Sequence, residues 1–254
     1  MNFQHIYKQI DVRKSVFYAW FEVMHTRVDI ALCNLQEADS IRITEKIRNK
    51  TERINKMTDR FNPKSEISQI NLFAANESFK ISAEFYGIIE DCIRFNKETE
   101  GAFDITVNSK NNYRNGIEDI VLNKEESTVF FKNKNVQIDL CGYIKGYALD
   151  KIKDVLFENN CMDALVSLGN SSVLALGNHP NGKGWKVNSP ENEAESITLF
   201  DECLTSSGNS TGHFHIINPK TGKSGNLTGV KSVVTKDGVS GEVLVTALNV
   251  TNLM

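Results

Sequence analysis

The sequence predicts an α+β protein in which mixed or antiparallel sheets pack against helices. Stretches of period-two apolar alternation and stretches of helical periodicity both occur. They do not follow one another in the strict strand–helix–strand order that builds a parallel sheet. No linker, low-complexity tract or internal repeat divides the 254 residues, and only four prolines punctuate them. A chain of that length buries one large core or two small ones.

Taken in order, residues 16–34 alternate as one or two strands, with Val23, Met24, Val28, Ile30 and Leu32 as core positions. Residues 36–60 carry Ile43, Ile47, Ile54 and Met57 at turn-compatible spacings and read as a helix. Residues 61–68 read as a turn around Pro63. Ser82 is a good N-cap for a helix to about Lys97 that buries Phe85, Ile88, Ile89 and Cys92. Residues 118–140 read as short strands with polar turns, the last spanning 136–140. An amphipathic helix starts near Gly146, with Leu149, Ile152, Val155 and Leu156 on one face. Strands are then expected over 164–168 and 173–176, flanking the turn at Gly169, Asn170 and Ser171. More follow at 185–187, 196–200, 214–217 and 231–235, and residues 239–250 close the chain as a helix.

Composition narrows the function classes. A net charge of −3 gives no basic surplus for nucleic-acid binding. No apolar run approaches the length of a membrane span. The five cysteines (33, 92, 141, 161 and 203) show no Cys-x-x-Cys and no zinc spacing, which suits small buried hydrophobes in a reducing compartment. With no apolar leader and no lipidation cysteine at the N-terminus, a cytoplasmic protein is the direct reading.

Several constellations invite chemistry, and each has a plain structural reading beside it. Lys145 sits between Gly142 and Gly146 at a strand-to-helix junction, where backbone N–H groups, a helix N-terminus and an ammonium can meet one anion such as a phosphate. The same spacing also describes an ordinary turn with a solvated lysine. Glu242 and Thr246 stand four apart and share a helical face, an oxygen pair suited to Mg²⁺ or simply a Thr bonded to its own helix. His213 and His215 face one side of a strand that ends at the turn of Pro219 and Gly222; a histidine there suits a general base or a hydrogen-bonded surface role. A zinc site would need a third ligand, and none is near in sequence. Gly101, after a helix, permits close backbone approach by a ligand, and Asp104 offers an acceptor to a base or ribose; a helix stop followed by a turn accounts for both as well.

The order of these motifs resembles the FAD:protein FMN transferase (ApbE) family. Met24-His25-Thr26 looks like its Met-Gly-Thr, and Phe61 with Pro63 and Ser65 looks like its Phe/Tyr-x-Pro-x-Ser loop. Gly101-Ala102-Phe103-Asp104-Ile105-Thr106 matches its Gly-Ala-Phe-Asp-x-Thr motif in full. Residues 139–148 are similar to its Asp-Leu-Gly-Gly-Ile-Ala-Lys-Gly-Tyr-Ala segment. Residues 206–208, 215–222 and 241–248 resemble its Thr-Ser-Gly, His-Ile-Ile-Asp-Pro-x-Thr-Gly and closing Ala-Asp-x-x-x-Thr-Ala-Leu. The likeness covers roughly residues 20–250, and a domain of 16–254 follows an N-terminal extension of 1–15.

The resemblance implies a two-lobed single unit with a flavin cleft. It implies Mg²⁺-dependent transfer of FMN from FAD to a threonine hydroxyl of an acceptor protein, a flavinylated redox protein, with release of AMP. FAD contacts fall on Met24, Phe61, Ala102, Phe103, Asp104, Asp139, Lys145 and Ile217. Mg²⁺ falls on the Gly142 carbonyl, Glu242 and Thr246, and the base is His215. Family members are often exported, which stands against the cytoplasmic reading. Two rivals stand beside this reading. FAD hydrolysis to FMN and AMP follows if the acceptor groove is poor. For non-catalytic FAD binding, Glu242, Asn170 and the short C-terminus speak, among four departures from the family's motifs. Glu242 replaces the family's Asp, Asn170 and Ser171 replace the Gly and Asp of Leu-Gly-Gly-Asp, and Asn218 replaces an Asp beside the base. The chain also stops at Met254, where relatives continue, so a truncated C-terminus is a further reading.

Overall fold

The computed structural model describes residues 3–192, 194–208, 216–224 and 229–251. Two compact units emerge, the first made of residues 1–55, 144–207 and 230–245, the second of 56–143, 208–229 and 246–254.

The first unit is built on a seven-stranded sheet of order β1-β2-β3-β7-β8-β11-β12. Its strands are β1 (Gln4–Gln9), β2 (Ser15–Val23), β3 (Thr26–Cys33), β7 (Ala164–Leu168), β8 (Ser172–Leu176), β11 (Glu202–Gly208) and β12 (Val230–Thr235). The pairings β1·β2, β2·β3, β3·β7, β7·β8 and β8·β11 are antiparallel. Alternation sorts the side chains as a pleated strand must. In β2, Phe17, Ala19, Phe21 and Val23 are buried while Val16, Tyr18 and Trp20 face the other side and stay partly open.

One face packs against helices α1 (Glu37–Thr58) and α4 (Ile144–Glu158), through Ile43, Ile47 and Ile54 on the first and Leu149, Ile152 and Leu156 on the second. The opposite face lies under the hairpin of β9 (Trp185–Asn188) and β10 (Ser196–Leu199), where Trp185 and Leu199 meet Cys33, Ala175 and Leu204. Residues 4–9 pair along the whole of β2's first six positions, in the stretch ahead of the expected domain start.

The second unit holds α2 (Glu66–Phe73), α3 (Ala83–Glu98) and a three-stranded sheet of order β4-β6-β5, from β4 (Phe79–Lys80), β5 (Ile120–Asn123) and β6 (Thr128–Phe131). Ser82 caps α3 as expected, its Oγ accepting from the Phe85 N–H. Helix α5 (Gly238–Thr251) closes the described chain.

Four differences from the sequence reading have local causes. Residues 136–140 form no strand: their burial does alternate, with Val136, Ile138 and Leu140 inside, but their backbone partners are mostly side chains. Ile138 N–H donates to Asn71 Oδ1 and its carbonyl accepts from Asn71 Nδ2, while Gln137 N–H donates to Ser109 Oγ. The presumed turn after Pro63 runs straight into α2, capped by Ser65. Helix α4 begins at Ile144, so Lys145 lies in its first turn rather than before it. Met24 is not on a strand but in the two-residue turn between β2 and β3, paired with His25 at φ 56° each. Most of the expected strand 214–217 lies outside the described residues; Ile217 makes a single bridge to Ser224.

Candidate functional site

In the first unit the candidate residues converge on helices α4 and α5 and the β7–β8 hairpin. Gly169 and Asn170 turn that hairpin at φ 61° and 60°. A Cβ on Gly169 would stand 2.2 Å from Thr26 Oγ1, so this corner admits no side chain. The turn presents Ser171 and Ser172. Lys145 Nζ donates to Ser171 Oγ at 2.6 Å, Ser171 Oγ and Ser172 Oγ are 3.4 Å apart, and Ser172 Oγ donates to Glu242 Oε1 at 2.5 Å. The Ser171 carbonyl accepts from Ser206 N–H at 2.7 Å, tying the turn to β11.

Glu242 is buried, and burial pushes its carboxyl above the usual range; the Ser172 hydrogen bond and the Lys145 charge pull the other way. Two glycines let α4 and α5 come this close. A Cβ on Gly146 would stand 2.2 Å from the Gly238 carbonyl oxygen, and one on Gly238 would stand 2.5 Å from that of Gly146. Asp150 completes the junction by accepting from the N–H groups of Gly238 and Val239 at 2.6 and 3.0 Å, capping the start of α5.

In the second unit, Gly101 follows α3 at φ 82°, and its N–H closes back on the Asn96 carbonyl. Asn96 Nδ2 also holds the Phe103 carbonyl, and Asp104 Oδ1 accepts from Thr106 N–H and Oγ1 at 2.7 and 2.6 Å. Burial raises the Asp104 carboxyl despite these bonds and the nearby Arg114 charge. Ala102 and Phe103 are buried, Ala102 against Ile216 and Val250. A cavity of about 280 Å³ opens beside Asp104, lined also by Asn96, Gly101, Asn115, Pro219 and Lys220.

Asp139 accepts from Arg60, from Asn108 Nδ2 at 2.8 Å and from Cys141 N–H at 2.9 Å, while Arg60 lies over the exposed Phe61 ring, 4.9 Å from its centre. Asn218, where the resemblance has an Asp, keeps the acceptor role: its Oδ1 holds the N–H groups of Lys220 and Thr221 in the turn to Gly222. Among the described residues its Nδ2 is buried without a hydrogen-bond partner. His213 and His215 lie outside the described residues. Ile217, partly buried, precedes Asn218.

An oxygen-ligated cation is compatible with these residues. Helix α5 offers the buried Glu242 carboxylate and, one turn later, the Thr246 hydroxyl, whose Oγ1 lies 3.3 Å from where a Cβ on Gly142 would be. A hard cation that retains waters and substrate oxygens needs few protein ligands of this kind. Among the described residues no cluster of three or more His, Cys, Asp or Glu is placed to hold a metal. Nor, among them, is any helix long and apolar enough to cross a membrane.

Sequence reasoning missed Ser172, Arg60, Asn71 and Asn108. Ser172 left one trace, a hydroxyl at a core-facing position of an otherwise apolar strand, where it is wholly buried.

This architecture is that of the flavin transferases of the ApbE type. The ApbE family profile matches residues 24–253, and the chain belongs to that family. Among curated relatives, the FAD:protein FMN transferase of Chlamydia pneumoniae is 26% identical over 219 residues, 75% of this chain and 69% of its own length. That of Haemophilus influenzae is 27% identical over 226 residues, 73% of this chain and 65% of its own length. The chain thus spans about two thirds of these relatives. Among solved structures, the ApbE protein of Thermotoga maritima superposes with a TM-score of 0.80 at 23% identity, over 93% of this chain and 87% of that one. The apo flavinyl transferase ApbE of Pseudomonas stutzeri gives 0.81 at 16% identity, over 95% and 86%. The expected α+β fold, with antiparallel sheets and packed helices, is therefore the ApbE fold.

Proposed function

We propose that the chain is an Mg²⁺-dependent FAD:protein FMN transferase. In this reading the threonine hydroxyl of an acceptor protein attacks the FMN-side phosphorus of FAD. The phosphoanhydride bond breaks, a phosphoester to FMN forms, and AMP leaves. FAD is held by Met24, Phe61, Ala102, Phe103, Asp104, Asp139, Lys145 and Ile217, and His215 takes the hydroxyl proton. The Gly142 carbonyl, Glu242 and Thr246 would hold Mg²⁺, which would supply charge neutralisation at the phosphates. Transfer of this kind depends mainly on positioning and charge, and Lys145 supplies a fixed ammonium for it.

The observation that carries the reading is the hydrogen-bonded series from Lys145 through Ser171 and Ser172 to Glu242. It arranges a cation and a buried carboxylate from two of the motifs that resemble the family. The relatives named as FAD:protein FMN transferases support the same substrate class. The test is a flavin-fluorescence titration with FAD, with and without Mg²⁺, followed by chromatography of the nucleotide products. Saturable binding strengthened by Mg²⁺, with AMP formed only when a threonine-bearing acceptor is present, supports the transferase. AMP and FMN appearing without an acceptor would indicate hydrolysis instead. Binding without any AMP points to a non-catalytic flavin binder, and a folded sample that binds no FAD sinks the proposal.

A further inference from the structure

The Ser172–Glu242 contact joins a hydroxyl that is wholly buried to a carboxylate that is almost so. A buried carboxylate with one oxygen held by a short donor has its orientation fixed, while the other oxygen keeps its lone pairs for a further partner. Ser172 is itself oriented. Its neighbour Ser171 accepts from Lys145 Nζ, so the Ser171 hydrogen is directed away from the ammonium, toward Ser172 Oγ at 3.4 Å or the Leu168 carbonyl at 3.5 Å. Ser172 in turn donates to Glu242 Oε1. Whichever way the Ser171 hydrogen points, Ser172 keeps its own hydrogen for Glu242. Glu242 is one methylene longer than the Asp of the resembled motif, and its carboxylate meets a residue of strand β8.

We infer that Ser172 is a positioning residue for the cation site: it fixes the Glu242 carboxylate through Oε1 and so sets its orientation toward a divalent cation. The inference rests on the reading of Glu242 as a metal ligand. Outer-shell partners of ligating carboxylates typically govern affinity by tenfold or more. A shorter carboxylate at position 242 no longer reaches Ser172, so the influence of Ser172 vanishes with it. This coupling separates positioning from a general packing role.

The probe is Mn²⁺, followed by electron paramagnetic resonance in the presence of saturating FAD, with thermal unfolding as the control for fold. Ser172→Ala is expected to weaken Mn²⁺ binding roughly tenfold. Ser172→Cys, which fills the same space with a weak donor, gives a similar loss and covers the case of an Ala variant that does not fold. In a Glu242→Asp background, Ser172→Ala changes affinity by less than about twofold. Unchanged affinity in both Ser172 variants, or an equal loss in the Glu242 and Asp backgrounds, overturns the inference and leaves the metal reading standing. A wild-type protein that binds FAD but no Mn²⁺ removes the metal reading and the inference together.

Discussion

The two compact units solve the same problem in different ways. In the first, long antiparallel strands satisfy one another's backbone groups, and the β2 and β7 alternation simply sorts side chains between two covered faces. In the second, the small sheet has only short strands, and the stretch 136–141 is held partly by backbone, as Asp139 N–H on the Ile105 carbonyl, and largely by side chains: Asn71 on both backbone groups of Ile138, Ser109 on Gln137 and Asp139 on Cys141. A buried extended segment must pair its N–H and C=O groups, but it need not do so with a strand. Regular pairing spreads the load over many equivalent bonds, whereas the second solution concentrates it in a few named residues.

Thiol chemistry gives the widest contrast. Burial pushes Cys33, Cys161 and Cys203 of the first unit up to about 12 and raises Cys92 of the second as well, whereas Cys141, also in the second, is exposed. Alkylation at pH 8, read by mass spectrometry, should modify Cys141 well ahead of the four buried thiols. The same shifts set an alkaline limit. The raised thiols contribute stability that is full below their unfolded pKa, about 9, and is lost as pH rises toward 12. Stability that stayed level between pH 9 and 12 would contradict the burial of these groups.

Substitutions probe the close approaches next. Gly146→Ala should gain about 1 kcal/mol of helix propensity but lose about 3 kcal/mol to the clash with Gly238, a net loss visible in urea unfolding. In the second unit, Asn71→Ala leaves both backbone groups of Ile138 without their side-chain partner and should cost about 2 kcal/mol. A near-zero effect there would mean that water replaces Asn71 and that the segment is less dependent on named residues than argued. The smallest effect is expected at the β2–β3 turn. His25, where the resembled motif has Gly, holds φ 56°. Strain relief in His25→Gly should slightly outweigh the added freedom of the unfolded chain, raising stability by about 0.5 kcal/mol.

What was legible in the sequence follows the same division. Strands β2, β3, β7 and β8 and helices α1, α3 and α4 could be read because packing against one face imposes a period on the chain. Residues 136–140 carried that period too, yet it reported burial rather than strand pairing. The ordered motifs at residues 101–106, 139–148 and 241–248 identified the family, since they depend on residue type and spacing alone. Contacts between distant segments left little trace. Ser172 and Glu242 are 70 positions apart, and their 2.5 Å hydrogen bond exists because β7–β8 turns at Gly169 and α4 meets α5 at Gly146 and Gly238. By itself the sequence determined the fold class, the family and most of the candidate residues, because local periodicity and ordered motifs are properties of neighbours along the chain. Only the tertiary structure decided which hydroxyl restrains the buried carboxylate and which amide holds the irregular segment, because those partners are chosen by distance in space.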